Sequence, residues 1–172
     1  MAKTYPSKAV AKDQQPLPWA MSEARDLVAL IAMALVGTAI AVYLTSVHYA
    51  NVPLVCTAGG PVDCGAVTRS AYSLVPGTSL PITLPGMLWF IVSGGIAVYA
   101  LMLRWQHKAE SVRLWLGLVA WGALGMVFVI YLVYAEIVVL HKICEWCTVI
   151  HVLTLLTFLL AVWRLQRVTE VA

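Results

Sequence analysis

The chain has 172 residues, 62% of them hydrophobic and 11% charged, with a mean hydropathy of +0.87. A soluble domain carries roughly 45–50% apolar and about 25% charged residues, so a soluble globular enzyme is nearly excluded, and a chain this apolar does not stay disordered. The net charge of +3 includes no basic run suited to nucleic acid, and what remains is a small single-domain protein of the lipid bilayer with four cysteines as its obvious chemistry.

In chain order, residues 1–26 form a polar lead-in with Lys3, Lys8, Lys12 and Arg25. A spanning helix needs about 20 mostly apolar residues. The first such stretch is Leu27 to Val47. It is longer than the ~7–15-residue core of a signal peptide, and no small-residue cleavage site follows, so it is expected to be retained. A long connection, 48–84, holds Cys56 and Cys64. The second stretch is Pro85 to Leu103, followed by a short loop, 104–113. The third, Leu114 to Ala135, leads through 136–143 to the fourth, Cys144 to Trp163, which opens with CEWC. The four stretches hold no Asp, Glu, Lys or Arg apart from Glu145. The expected fold is an all-α integral membrane bundle of four transmembrane helices over 27–163. The expected tails are 1–26 and 164–172.

Nine of the eleven Lys and Arg fall in the two tails and the 104–113 loop, leaving only Arg69 and Lys142 in the other two connections. The positive-inside rule then places both termini in the cytoplasm. Loops 48–84 and 136–143 face outward from a cell inner or plasma membrane, and all four cysteines lie on that oxidising side.

Cys56 and Cys64 bound the segment CTAGGPVDC, whose Gly59, Gly60 and Pro61 favour a flexible turn over helix or strand. If the pair were only a staple, closing so short a ring would contribute about 2.6 kcal/mol. Cys144 and Cys147 lie one helical turn apart, so a bond between them joins no separate elements. Their place at a helix N-terminus stabilises a thiolate through free backbone N–H groups and the helix dipole. That suits a redox pair. A four-thiolate zinc centre is the competing reading, disfavoured by the wide spacing of the loop pair, so no metal is expected. A mobile dithiol and a fixed dithiol on one face suggest a relay from a soluble thiol partner. No haem, flavin or nucleotide motif is present, which leaves a lipid-soluble quinone as acceptor.

The chain resembles the vitamin K epoxide reductase family. The residues that carry the likeness are Cys56-x7-Cys64, the following VTRSAYS (67–73), SLPITLPG (79–86) before the second span, and CEWC opening the fourth. A quinone oxidase of the DsbB type has the opposite order, with C-x-x-C in its first external loop. The resemblance covers about residues 27–163. It implies that Cys56 exchanges with a thioredoxin-like (DsbA-type) protein, Cys64 passes electrons to Cys144, and Cys147 reacts with ubiquinone or menaquinone. The implied activity is quinone-linked thiol oxidation that drives disulfide formation in exported proteins. Vitamin K quinone or epoxide reduction is the alternative within the family. Outside it, the alternative is a scaffold with static disulfides. Three positions differ from common family residues. Gly65 replaces a Ser, His151 stands where vertebrate members have a quinone-binding Tyr, and Ile82 stands where they have an Asn. These differences argue against epoxide turnover.

His151 lies seven residues after Cys144 and four after Cys147, on one helical face, as an ionisable group within a span. It is read as a quinone hydrogen-bonding group or a bundle histidine. Trp146 is a further quinone-contact candidate. Trp89, Trp105, Trp115, Trp146 and Trp163 are expected in the interfacial belt. Glu136 and Glu145 are read mainly as solvated boundary residues, with charge tuning of the thiols as the other role. Ser70, Tyr72 and Ser73 are expected to shape a short segment over the bundle mouth. Gly94, Gly95, Gly117, Gly122 and Gly125 are expected to let helices approach closely.

Overall fold

The computed structural model describes residues 18–57, 59–106, 108 and 110–171. Lys3, Lys8 and Lys12 of the expected N-terminal tail lie outside the described residues. Among those described, four helices are long and apolar enough to cross a membrane: Ala24–Ala50, Thr83–Trp105, Val112–Val139 and Glu145–Glu170. They belong to helices α1 (Pro18–Ala50), α3 (Thr83–Trp105), α4 (Val112–Tyr134) and α5 (Glu145–Val171), with the five-residue α2 (Cys64–Thr68) in the long connection. The four-helix membrane bundle expected from the hydropathy is the observed architecture.

The helices close into a ring in which α1 packs chiefly on α3 and α4 on α5, with α1 also meeting α5 and α3 meeting α4. Outward positions such as Leu35, Val127, Ile130 and Leu159 are exposed. Water would penalise that surface, whereas lipid tails do not. At 33 residues α1 reaches ~50 Å at 1.5 Å per residue, more than the ~30 Å hydrocarbon core, so it projects beyond the bilayer or tilts. Asn51, with φ +52, ends it. Asn tolerates this left-handed geometry better than most residues.

Local sequence sets the other helix starts. The Asp63 side chain accepts from the Ala66 N–H at 2.9 Å and opens α2, and Ser111 accepts from the Arg113 N–H at 3.3 Å and opens α4. Such caps engage N–H groups that the first turn leaves without partners. Pro85 falls in the first turn of α3, where its missing N–H costs little.

Two expectations about the bundle are corrected. Trp89 and Trp115 are core residues, 7% and 0% exposed, not members of an interfacial belt. The Trp89 indole donates to the Trp121 carbonyl at 3.0 Å and its ring fills the space over Gly125, where a Cβ would come within 2.7 Å of it. Trp105, by contrast, is exposed. Of the five glycines, Gly94, Gly122 and Gly125 do sit against neighbouring side chains, but Gly95 and Gly117 face open space. The tightest approach is at Gly37, where a Cβ would lie 2.5 Å from the Phe90 ring.

At the end of the bundle away from the cysteines, Leu27, Leu30, Ala97, Ala100, Trp115, Leu118 and Ala161 form the core. Arg164, expected to begin a polar tail, is instead on α5 and 1% exposed. Its guanidinium donates to both Glu110 carboxylate oxygens at 2.7 and 2.6 Å and lies 5.0 Å over the Trp115 ring. The Trp115 indole donates to the same carboxylate at 2.8 Å. This pair clamps the α3–α4 loop to α5.

Candidate functional site

The site forms where α4 ends and α5 begins. Past Tyr134 the chain widens into one π-helical turn, Ala135–Val139, closed by the Leu140 N–H donating to the Ala135 carbonyl at 2.8 Å. Such a turn carries an extra residue and re-aims the side chains within it, and it recurs at functional sites. Here it turns Glu136 inward, leaving the residue 5% exposed. His141, with φ +51, then reverses the chain.

Cys144 immediately precedes α5. The Thr148 N–H donates to its carbonyl at 2.9 Å, the first bond of the helix, and the Cys147 N–H donates to its sulfur at 3.3 Å. The cysteine thus occupies the capping position, where sulfur takes a place usually held by oxygen. The Cys147 thiol donates to the same sulfur at 2.6 Å. That hydrogen bond, aided by the helix-end N–H groups and opposed by burial, holds the Cys144 thiol below its usual range.

A short backbone bridge brings the second pair to the first. The Asp63 N–H donates to the Ile143 carbonyl at 3.1 Å and the Ile143 N–H to the Pro61 carbonyl at 2.9 Å. This parallel register puts the next residues, Cys64 and Cys144, side by side in one buried cluster with Val67. The turn expected within CTAGGPVDC is present: Val62 and Gly59 pair across it, with Gly60 at φ +61. Cys56 and Cys64 are joined in a disulfide, while Cys144 and Cys147 are thiols.

Two side chains of the C-x-x-C hold the loop from the other side. The Glu145 carboxylate accepts from the Thr57 hydroxyl and from the Thr57 N–H at 3.2 Å, and lies 3.7 Å from the Cys56 sulfur. The Trp146 indole donates to the Val55 carbonyl at 2.8 Å, with its ring 5.2 Å from that of Tyr43. Trp146, a quinone-contact candidate in the sequence, therefore serves as a strap on the cysteine loop and is absent from the lining of both cavities described next. Cys56, Cys64 and Glu145 come within metal-ligating reach of one another, but bonded sulfurs offer no thiolate to an ion.

Two cavities meet at Cys147. The outer one, about 590 Å³, is lined by Cys56, Cys64 and Glu136, with Tyr72 and Ser73 from the 3-10 turn over the bundle mouth. The inner one, about 220 Å³, lies among Trp89, Phe90, Leu124 and Phe128, with His151 on its wall. Ile82 and Cys147 border both. In the inner cavity the Trp89 and Trp121 indoles each donate to the other's carbonyl at 3.0 and 3.3 Å. Thr154 donates to the Ile150 carbonyl and Thr83 pairs with Thr45. The buried Nε2 of His151 has no hydrogen-bond partner among the described residues. Buried polar atoms are nearly always paired, so this one is a vacant contact for a polar ligand atom.

The structure thus brings Cys56, Cys64, Cys144 and Cys147 to one end of the bundle, with His151 and Ile82 one layer deeper. Sequence reasoning undervalued Glu136, which is buried beside the inner cysteines and not a solvated boundary residue. It also passed over Thr57. The π turn that aims Glu136 has no periodic signature, whereas a carboxylate eight residues before a C-x-x-C was a visible signal.

The sequence profile described as "Vitamin K epoxide reductase family" matches residues 28–162. No curated protein matches the chain.

Proposed function

The chain belongs to the vitamin K epoxide reductase family, a family of membrane oxidoreductases associated with quinones, and from that premise we propose that it oxidises a thioredoxin-like partner and delivers the electrons to a quinone. The observation that carries this reading is the position of Cys147. It borders both the cavity of the loop disulfide and an apolar cavity reaching His151.

The thiol steps follow from the placement of the sulfurs. A partner thiolate attacks Cys56, breaking the Cys56–Cys64 bond and forming a mixed disulfide, and a second partner thiol resolves it, leaving Cys56 and Cys64 reduced. Cys64, packed beside Cys144, passes the electron pair to an oxidised Cys144–Cys147 bond by exchange. Exchange is fastest for a sulfur that attacks as thiolate and leaves as a low-pKa thiol. The capped, hydrogen-bonded Cys144 has that character. Cys147 then faces the acceptor.

The inner cavity fits a quinone ring. Its walls are apolar, its volume is below the ~300–1,000 Å³ of pockets that enclose a whole drug-sized ligand, and its unpaired polar atom, His151 Nε2, can hold a carbonyl oxygen. An isoprenoid tail would then extend into lipid. When bound, the quinone accepts two electrons and two protons. Ile82, bordering both cavities, offers no hydrogen bond, and this disfavours vitamin K epoxide as the substrate.

The basic residues support an orientation with both termini in the cytoplasm and the cysteine end at the periplasmic or extracytoplasmic surface of the inner or plasma membrane. Disulfides persist there, and a DsbA-type partner fits that side. The acceptor is ubiquinone or menaquinone.

The test is quinone reduction by the purified chain with a reduced thioredoxin-like protein. Turnover is expected, with Cys147→Ser abolishing it. His151→Ala should lower it by roughly 10-fold, the worth of a ~1.4 kcal/mol hydrogen bond, while thiol exchange with the partner stays unchanged. Quinone reduction that survives Cys147→Ser would overturn the relay.

A further inference from the structure

We propose that Glu136 is an acid–base catalyst of the inner cysteine pair, taking the proton from Cys147 as that sulfur gives up electrons and returning it when Cys147 departs as a leaving group. The proposal rests on the quinone-linked reading above and extends it to a residue outside the four cysteines.

The geometry is specific. The Glu136 carboxylate is buried, on the π turn, and interacts with the Cys144 backbone and with the Cys147 thiol, whose one proton it and the Cys144 sulfur compete for. A buried carboxylate is costly unless well satisfied. One of the groups it faces, the Cys147 sulfur, is a reacting atom. The Cys147 thiol faces the Cys144 sulfur and the Glu136 carboxylate. Glu136 and Cys147 also line the outer cavity together with His48, Asp63, Arg69 and Tyr72, which gives the proton a polar route outward. The inner cavity holds Cys147 but not Glu136. Electrons and proton therefore leave Cys147 in opposite directions.

The steps balance. When the Cys144–Cys147 dithiol is oxidised, two S–H bonds break, one S–S bond forms and two electrons pass to the quinone. The two thiol protons are released, the one from Cys147 to a Glu136 oxygen and on to the outer cavity and the one from Cys144 to water, and water supplies the two protons that the quinone oxygens take up. When the Cys64 thiolate attacks Cys144, the Cys144–Cys147 bond breaks and Cys147 leaves with the electron pair. Protonated Glu136 then supplies the proton.

The decisive readout needs no quinone. In a Cys144→Ser background with Cys56 and Cys64 bonded, Cys147 is the one free thiol, and its alkylation by iodoacetamide is followed against pH. With Glu136 present the rate should be nearly flat across neutral pH, because the internal base takes the proton. Glu136→Gln keeps the size and one acceptor but should lower the neutral-pH rate by ~10²-fold. Its rate should then climb about tenfold per pH unit, as for a thiol that ionises to solvent. Glu136→Asp should keep the flat profile. The same ordering is expected for single-turnover reoxidation of the reduced chain by a short-chain ubiquinone. A Glu136→Gln variant that alkylates faster at neutral pH would make Glu136 a charge brake, and a profile parallel to the parent would make it structural. Either overturns the proposal. A parent chain that reduces no quinone would overturn the functional reading instead, and the alkylation profile would still judge Glu136.

Discussion

Cys144 shows how a single residue acquires its chemistry from position. It caps α5 with sulfur, accepts from the Cys147 N–H at 3.3 Å, and faces the Cys147 thiol. The thiol hydrogen bond is the largest cause of its lowered titration. Below its midpoint Cys144 is a thiol and above it a thiolate, so a lowered midpoint means more thiolate at neutral pH. Thiolate ultraviolet absorbance of the Cys56–Cys64-oxidised chain should therefore begin to rise below the usual thiol midpoint of about 8.5. Cys147→Ala removes the donor, and the Cys144 midpoint should move up. A midpoint that stays in place would assign the shift to the helix end alone. The placement of Cys144 was legible from C-x-x-C at the start of an apolar stretch. Its direct bonds were not, because they depend on side-chain rotamers that spacing leaves open.

At the scale of elements, the four spans were legible because twenty apolar residues have few alternatives in lipid. Which face of each helix turns inward was not. These helices are apolar all round, so periodicity does not distinguish Trp89 in the core from Trp105 at the surface. The same blindness extends to the glycines. Gly95 looked like a packing residue and faces open space, while Gly37, against Phe90, went unnoticed. Phe90 is 1% exposed, so its ring has little room to retreat. Gly37→Leu should destabilise the α1–α3 pair by about 1–3 kcal/mol, as overpacking does. Gly95→Ala should be neutral or slightly stabilising, since a glycine mid-helix costs ~1 kcal/mol relative to alanine. Thermal unfolding of the two variants in one detergent measures the difference, and equal losses would contradict the packing assigned to Gly37. The π turn after α4 lies beyond pattern reading for a different reason: one extra residue in a helical turn leaves the composition unchanged.

On the scale of the whole molecule, the two ends of the bundle are built differently. One is clamped by the Arg164–Glu110 pair over Trp115. The other carries a cap held by a two-bond bridge at Ile143, the Glu145–Thr57 contact and the Trp146 strap. The cap is fastened to the same short segment that holds the inner cysteines, so Cys64 stays beside Cys144 while Cys56, at the margin, faces the outer cavity. Composition and charge pattern were enough to predict that the four cysteines share one end of the bundle. The pairing of the 61–63 segment with Ile143, a contact across 80 residues of chain, was not readable from spacing.

In the proposed relay, the loop pair and the helix pair are joined through Cys64 and Cys144. Peptide mapping of the Cys147→Ser variant, reoxidised and quenched with an alkylating reagent, tests it most directly. Without Cys147, the Cys144 thiolate can attack only the loop disulfide, and Cys64 is the member of that disulfide buried in the same cluster as Cys144. A Cys64–Cys144 linked peptide with Cys56 alkylated is expected. A Cys56–Cys144 link, or a loop disulfide left intact beside an alkylated Cys144, would contradict it.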